Sequence, residues 1–188
     1  MTNPVDLHSA RLILRLWRAS DREPFAQMNA DPRVMQHYPS LLTSDQSDAL
    51  VDRIEAHFAR HGFGLWAAEL RDTGEFIGYI GLSVPTFTAH FTSTENPAVE
   101  IGWRLAAEHW GHGLATEGAQ AILVHAFTVL NLDEIVSFTT PGNIASRRVM
   151  EKLGMTRNPA EDFDHPNLPE SHPLRRHVLY RITRPVCS

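Results

Sequence analysis

Two glycines one residue apart at the mouth of a helix constrain this chain more than any other feature. Residues 108–119 read EHWGHGLATEGA: Trp110 leads into Gly111-His112-Gly113, and an uninterrupted helical pattern follows. Glycines there let the backbone come close to an anion. The N–H groups of the first helical turn then point at it, and the helix dipole adds a favourable field. The amides of His112, Gly113, Leu114 and Ala115 form a candidate cradle for a pyrophosphate. An isolated G-x-G equally suits a plain turn between strand and helix, so the flanking segments decide. A dinucleotide fingerprint is disfavoured, because G-x-G-x-x-G needs glycine where Thr116 stands, and no acidic residue ends a following strand at the proper distance.

Upstream, residues 11–17 predict a first strand with Leu12, Leu14 and Leu16 on one face. Ser20 and Glu23 have capping-box spacing for a helix from Asp21, and Asp31-Pro32 is expected to end it. A second helix is expected over residues 45–61, with the stripe Leu50, Ile54, Phe58 and a cap at Gly62. Residues 63–70 and 76–84 read as strands joined at Asp72-Thr73-Gly74. The loop 85–97 is unusually aromatic, and its Phe residues either cover a site or pack on the core. From Leu114 the apolar spacing Ala115, Ala119, Ile122, Ala126, Val129 predicts a buried helix face, ending near Asn131. Residues 134–140 read as a central strand, 143–153 as a helix closed by Gly154, 162–173 as a proline-rich loop and 176–182 as a last strand. Alternating strands and helices indicate a mixed α/β domain.

In AVEIGWRL, residues 98–105, Val99, Ile101, Trp103 and Leu105 share one face, and Glu100, Gly102 and Arg104 the other. A carboxylate in mid-strand needs a partner or a wet cleft, so Glu100 is either functional or bridged to Arg104 or a neighbouring strand. Asn143 is an ordinary helix N-cap, with Ser146 in its first turn. His90, His165, His172 and His177 sit in loops or near the last strand. DFDH looks ligand-like, but no pair has the spacing of a zinc site, and no metal is expected. A substrate-facing histidine remains open.

Three blocks in order, E-I-G-x-x-L, W-G-x-G-x-A-T-E-G and N-x-x-S-x-x-V-x-x-K-L-G-M, span residues 98–155. Together they resemble the Gcn5-related N-acetyltransferases, and within them the RimJ/RimL-like branch, which typically has alanine where the second block ends in Gly118. Weaker similarity runs from RLILR at residue 11 to HVLYRI at residue 177. The resemblance implies an α/β (α+β) fold: a mixed, largely antiparallel central sheet, splayed between the strands at Glu100 and Glu134 and flanked by helices. It implies one N-acetyltransferase domain over residues 1–188 and acetyl-CoA as cosubstrate. The pyrophosphate would sit on the turn of Trp110, Gly111, His112, Gly113, Leu114 and Ala115. Asn143 would contact the pantetheine or substrate region, and Arg147 or Arg148 the adenosine phosphate, with Arg148 preferred. Glu100 would remove a proton from the acceptor amine, and Ser146 would return one to the departing thiolate.

Two further positions depart from the family pattern. Glu108 stands where Arg or Gln is common, which shifts the expected anion contact to the backbone. Met150 stands at the usual proton-donating Tyr, which favours Ser146, with Tyr180 as rival. The acceptor is expected to be a primary amine that attacks the thioester directly, either a protein N-terminus or a small amine such as an amino acid, polyamine or drug. A non-catalytic acyl-CoA-binding module is the reading from another class.

A chain of 188 residues can bury a sizeable core as one domain. Its net charge of −5 argues against a general nucleic-acid binder. The one cysteine, Cys187, can form no intramolecular disulfide, is a poor nucleophile candidate so near the end, and fits a cytoplasmic setting. Neither a leader in MTNPVDLHSARL nor an apolar run of about 18 residues is present, so no membrane partner is expected. A monomer or homodimer is expected.

Overall fold

The computed structural model describes residues 5–185; Cys187 and the first four residues of the stretch read as lacking a leader lie outside them. The chain divides into two compact units. One takes the residues up to Ser83 with Gly102–Ile122; the other takes Val84–Ile101 with the residues from Leu123 onward.

The first unit contains β1 (Leu7–His8), β2 (Leu12–Arg15), α1 (Arg22–Asn29), α2 (Pro32–Met35), α3 (Ser44–His61), β3 (Leu65–Leu70) and β4 (Phe76–Ser83). It also holds the end of β5 (Glu100–Leu105) and the start of α4 (Leu114–Thr128). β1 to β4 pair antiparallel in sequence order, and β5 follows β4. Leu12 and Leu14 are wholly buried, but Leu16 is 43% exposed. The strand ends at Arg15, so alternation no longer governs Leu16. Arg15 turns inward and is held by Asp21 at 2.7 Å and Glu69 at 2.6 Å.

The helix starts also differ from expectation. The Asp21 carboxylate, not Ser20, takes the Arg18 N–H at 2.8 Å, across a 3-10 turn that precedes α1. Asp31-Pro32 does not merely end α1. Asp31 caps α2, whose first position is the proline, where a missing N–H costs nothing. α3 follows its expected range and closes at Gly62, with a capping box of Thr43 and Gln46, but its buried stripe is Val51, Ile54 and Phe58; Leu50, expected in that stripe, is only half-buried because Val51 takes the inward position.

The second unit contains the start of β5, the end of α4, β6 (Glu134–Thr139), α5 (Ile144–Lys152), β7 (Thr156–Arg157), β8 (Phe163–Asp164) and β9 (Arg176–Thr183). β6 lies between β5, parallel, and β9, antiparallel; β7 and β8 both pair with β9. The proline-rich loop therefore contains a short strand that composition concealed. Ala119, Ile122 and Ala126 of α4 are wholly buried, whereas Val129 is 51% exposed, because the helix stops at Thr128 and Asn131 turns left-handed with φ 54°. The aromatic loop packs inward: Phe91 joins Val136, Phe163 and Leu179 in a small core, with Phe87 and Phe138 partly buried against it. The result is a mixed α/β fold with a largely antiparallel sheet and flanking helices.

Candidate active site

The glycine turn takes the form its sequence implies. Gly111 and Gly113 have φ of 79° and 78°, the left-handed region that residues with a Cβ avoid. No protein atom lies within 4 Å of a Cβ built on Gly111, and only Arg11 Nη2, at 3.8 Å, approaches one built on Gly113. Backbone conformation, not crowding within the protein, demands glycine here, and the turn faces open space. The ladder of α4 opens with Glu117 N–H donating to Gly113 O at 3.0 Å, so the amides before it have no helical acceptor by construction. His112 is exposed, Ala115 half-buried and Leu114 buried, anchoring the helix start. Trp110 is 42% exposed and donates through Nε1 to Leu105 O at 2.8 Å, which fixes the approach to the turn. Glu108 faces solvent and pairs with Arg33 at 2.8 Å, so its charge is partly answered.

In the second unit, pairing and alternation assign each side chain to a face. Residues paired across strands point the same way, and successive residues point opposite ways. Glu100 pairs with Val136, Phe138 with Leu179, and Phe163 with His177. Glu100 therefore shares its face with Val136, Phe138, Leu179 and His177, the aromatic side. Ser137, Thr139 and Tyr180 lie on the other face, where α5 packs: Asn143 Nδ2 donates to Thr139 Oγ1 at 2.9 Å, and Tyr180 Oη donates to Glu151 at 3.1 Å. The half-buried Glu100 and the α5 residues are thus on opposite faces of β6.

On α5, Asn143 Oδ1 caps the helix by accepting the Ser146 N–H at 3.2 Å. Both of its side-chain groups are thereby engaged within the protein. The Ser146 hydroxyl is half-buried and makes no hydrogen bond among the described residues. Arg147 is tied to Pro141 O at 3.1 Å and to the Tyr180 hydroxyl at 3.4 Å, which leaves Arg148 as the exposed cation of the pair. Tyr180, 3% exposed, is held between Arg147 and Glu151.

The histidines divide by partner. His172 Nδ1 accepts the Leu174 N–H at 3.1 Å, a turn role. His165 and His177 lie 5.1 Å apart within the aromatic cluster, and Phe87 is 4.5 Å from His165. Burial pushes both histidines below the usual imidazole range, so they are neutral near pH 7. His177 Nδ1 donates to Arg175 O at 3.0 Å. Asp162 and Asp164, which made DFDH look ligand-like, are engaged by Arg157 and by Arg175 and Arg176. Sequence reasoning missed one constellation: Arg104, 8% exposed, reaches Asn29 and stacks under Tyr38. Its only sequence signal was a charged residue on a strand.

A family model described as an acetyltransferase (GNAT) domain matches residues 11–156. The FsC-acetyl coenzyme A-N(2)-transacetylase of Aspergillus fumigatus is 31% identical over 187 residues, covering 95% of this chain and 76% of its own. The crystal structure of an acetyltransferase from Agrobacterium tumefaciens has a TM-score of 0.75 at 28% identity, over 97% of this chain and 96% of that one. RimJ of Mycobacterium smegmatis, solved with a coenzyme A disulfide, shares the fold at 22% identity and a TM-score of 0.73, over 96% and 88%. Glycine turn, strand order and family match converge: the chain belongs to the GNAT N-acetyltransferases, enzymes whose cosubstrate is acetyl-CoA.

Proposed function

We propose that this enzyme acetylates the primary amine of a small molecule by direct attack on the thioester, with no acyl-enzyme. The turn of Trp110, Gly111, His112, Gly113, Leu114 and Ala115 holds the coenzyme pyrophosphate through backbone amides, and Arg148 meets the adenosine phosphate. Glu100 takes the proton that an ammonium must lose before it can attack, directly or through water. Ser146 returns a proton to the thiolate, and Asn143 fixes the α5 terminus that carries it. The observation that carries this reading is the glycine turn: Gly111 and Gly113 are both left-handed and open onto space that no side chain fills, at the start of α4.

The block order of residues 98–155 supports a place in the RimJ/RimL-like branch. A small acceptor is favoured over a protein N-terminus because a relative 31% identical, matched over 95% of this chain, is named for an N(2) transfer. RimJ supports the fold alone. Thiol release from acetyl-CoA, measured across a panel of amino acids, polyamines, amine drugs and short peptides, tests the proposal. Turnover with small amines is expected. Turnover confined to peptides would move the acceptor to a protein N-terminus, and affinity for coenzyme A without any turnover would make the chain a binding module.

A further inference from the structure

Two arginines of the first unit are almost equally buried and are treated in opposite ways. Arg15, 3% exposed, has Asp21 and Glu69 as carboxylate partners. Arg104, 8% exposed, forms no ion pair with any carboxylate among the described residues. Its Nη1 donates to Asn29 Oδ1 at 2.5 Å, and Asn29 Nδ2 in turn donates to Ser47 Oγ at 2.9 Å. Its Cζ lies 4.0 Å from the centre of the Tyr38 ring and 5.4 Å from that of Tyr79. Its Nε is buried and has no hydrogen-bond partner, the one such side-chain atom found among the described residues.

A guanidinium stays charged in any protein environment, so burial leaves a full cation without a counter-ion. Ring faces and an amide oxygen offset part of that cost, but they supply no negative charge. The orphaned Nε–H is one donor of a planar fork whose natural complement is a carboxylate. Tyr79 is fixed on β4 and 7% exposed. Tyr38, half-buried, belongs to the irregular segment between α2 and α3, so it is the ring that can give way to a ligand.

We propose that Arg104 is an anion subsite for the acceptor, and that the acceptor amine carries a carboxylate. This rests on the acetyl-transfer reading. Coenzyme A has its own pyrophosphate cradle at the Gly111–Gly113 turn, and its other phosphate suits an exposed cation better than a buried fork. The acceptor is the substrate left to fill the site.

The test compares carboxylate and carboxamide forms of the same amine, such as amino acids and their amides, in turnover and in calorimetry on the full chain. The carboxylate form should be preferred by roughly tenfold or more in kcat/KM, expressed in KM, and should bind more tightly by a similar factor. Arg104→Gln should bring that ratio close to one without changing coenzyme A affinity. Arg104→Lys, which keeps the charge but loses the fork, should give an intermediate ratio. A wild-type ratio near one, a ratio unchanged by Arg104→Gln, or equal weakening of coenzyme A overturns the proposal. If the variants fail to fold, the wild-type binding ratio decides alone. If no amine turns over, the transfer reading fails, while the calorimetric ratio still decides the anion subsite.

Discussion

Ser137 Oγ donates to the Ile101 carbonyl at 2.8 Å, one position beyond the registered pair Glu100↔Val136 of the parallel strands. Ser137 is 2% exposed and Ile101 is fully buried. A hydroxyl thus serves the carbonyl next to the candidate base. Ser137→Ala leaves that carbonyl short of a partner, at a cost of about 1–3 kcal/mol in denaturant unfolding. Turnover should fall with coenzyme A affinity unchanged, and Ser137→Thr should recover most of it. If Ser137→Ala lowers stability alone, the bond is architectural and does not position Glu100.

Glu100→Gln should lower turnover by roughly 10²–10⁴, the range for loss of a general base. Coenzyme A affinity should hold, since the role proposed for Glu100 is on the other substrate. The pH–rate profile of the wild type should lose its acid limb in the variant. Full turnover below the acceptor's pKa would make Glu100 structural.

Gly113→Val forces a β-branched residue into φ 78°, at about 1–2 kcal/mol, and puts methyl groups on the proposed pyrophosphate cradle. Gly74→Val in the β3–β4 hairpin, at φ 74°, imposes the same backbone strain away from the site. Calorimetry should show coenzyme A affinity lowered at least about tenfold for Gly113→Val and unchanged for Gly74→Val. Equal effects would assign the loss to strain, and no loss would remove the pyrophosphate from this turn.

Ser146→Ala should slow acetyl transfer while coenzyme A affinity stays within a few fold. The helix cap should survive, because it runs from Asn143 Oδ1 to the Ser146 backbone N–H. Tyr180→Phe is the counter-test. The Tyr180 hydroxyl already donates to Glu151 at 3.1 Å, so its removal should act mainly on stability. A rate loss for Tyr180→Phe that far exceeds that of Ser146→Ala reverses the assignment.

Burial holds His125, His165 and His177 below the ordinary imidazole pKa. The unfolded chain then binds more protons than the folded one below about pH 6.5. Stability is therefore fully present above that value and is lost as pH falls toward the folded pKa values. Arg157 holds Asp162 below the usual carboxylate range, so its contribution is lost only below about pH 4. Thermal melts should show the transition falling between pH 7.5 and 5.5, with a shallower fall in His177→Phe. A flat profile across that window would contradict the buried neutral histidines.

The glycine turn, the start of α4 and the closure of α3 at Gly62 were legible in the sequence, whereas Glu100, read as mid-strand, is the first residue of β5. The legible features rest on local chemistry: a left-handed φ or a period of 3.6. Periodicity failed at the ends of elements. Leu16 and Val129 continue an apolar pattern past the last residue of their strand and helix, and there exposure is set by where the chain turns. The face shared by Glu100, Phe138 and His177 needed strand register, which joins residues far apart in the chain. The contrast between Arg15 and Arg104 also came from tertiary structure alone. Both are charged residues on strands, but Arg15 meets Glu69 across 54 residues and Arg104 meets Asn29 across 75. Whether a buried charge finds a counter-charge depends on which side chains folding brings within a few ångströms, and no local pattern encodes that.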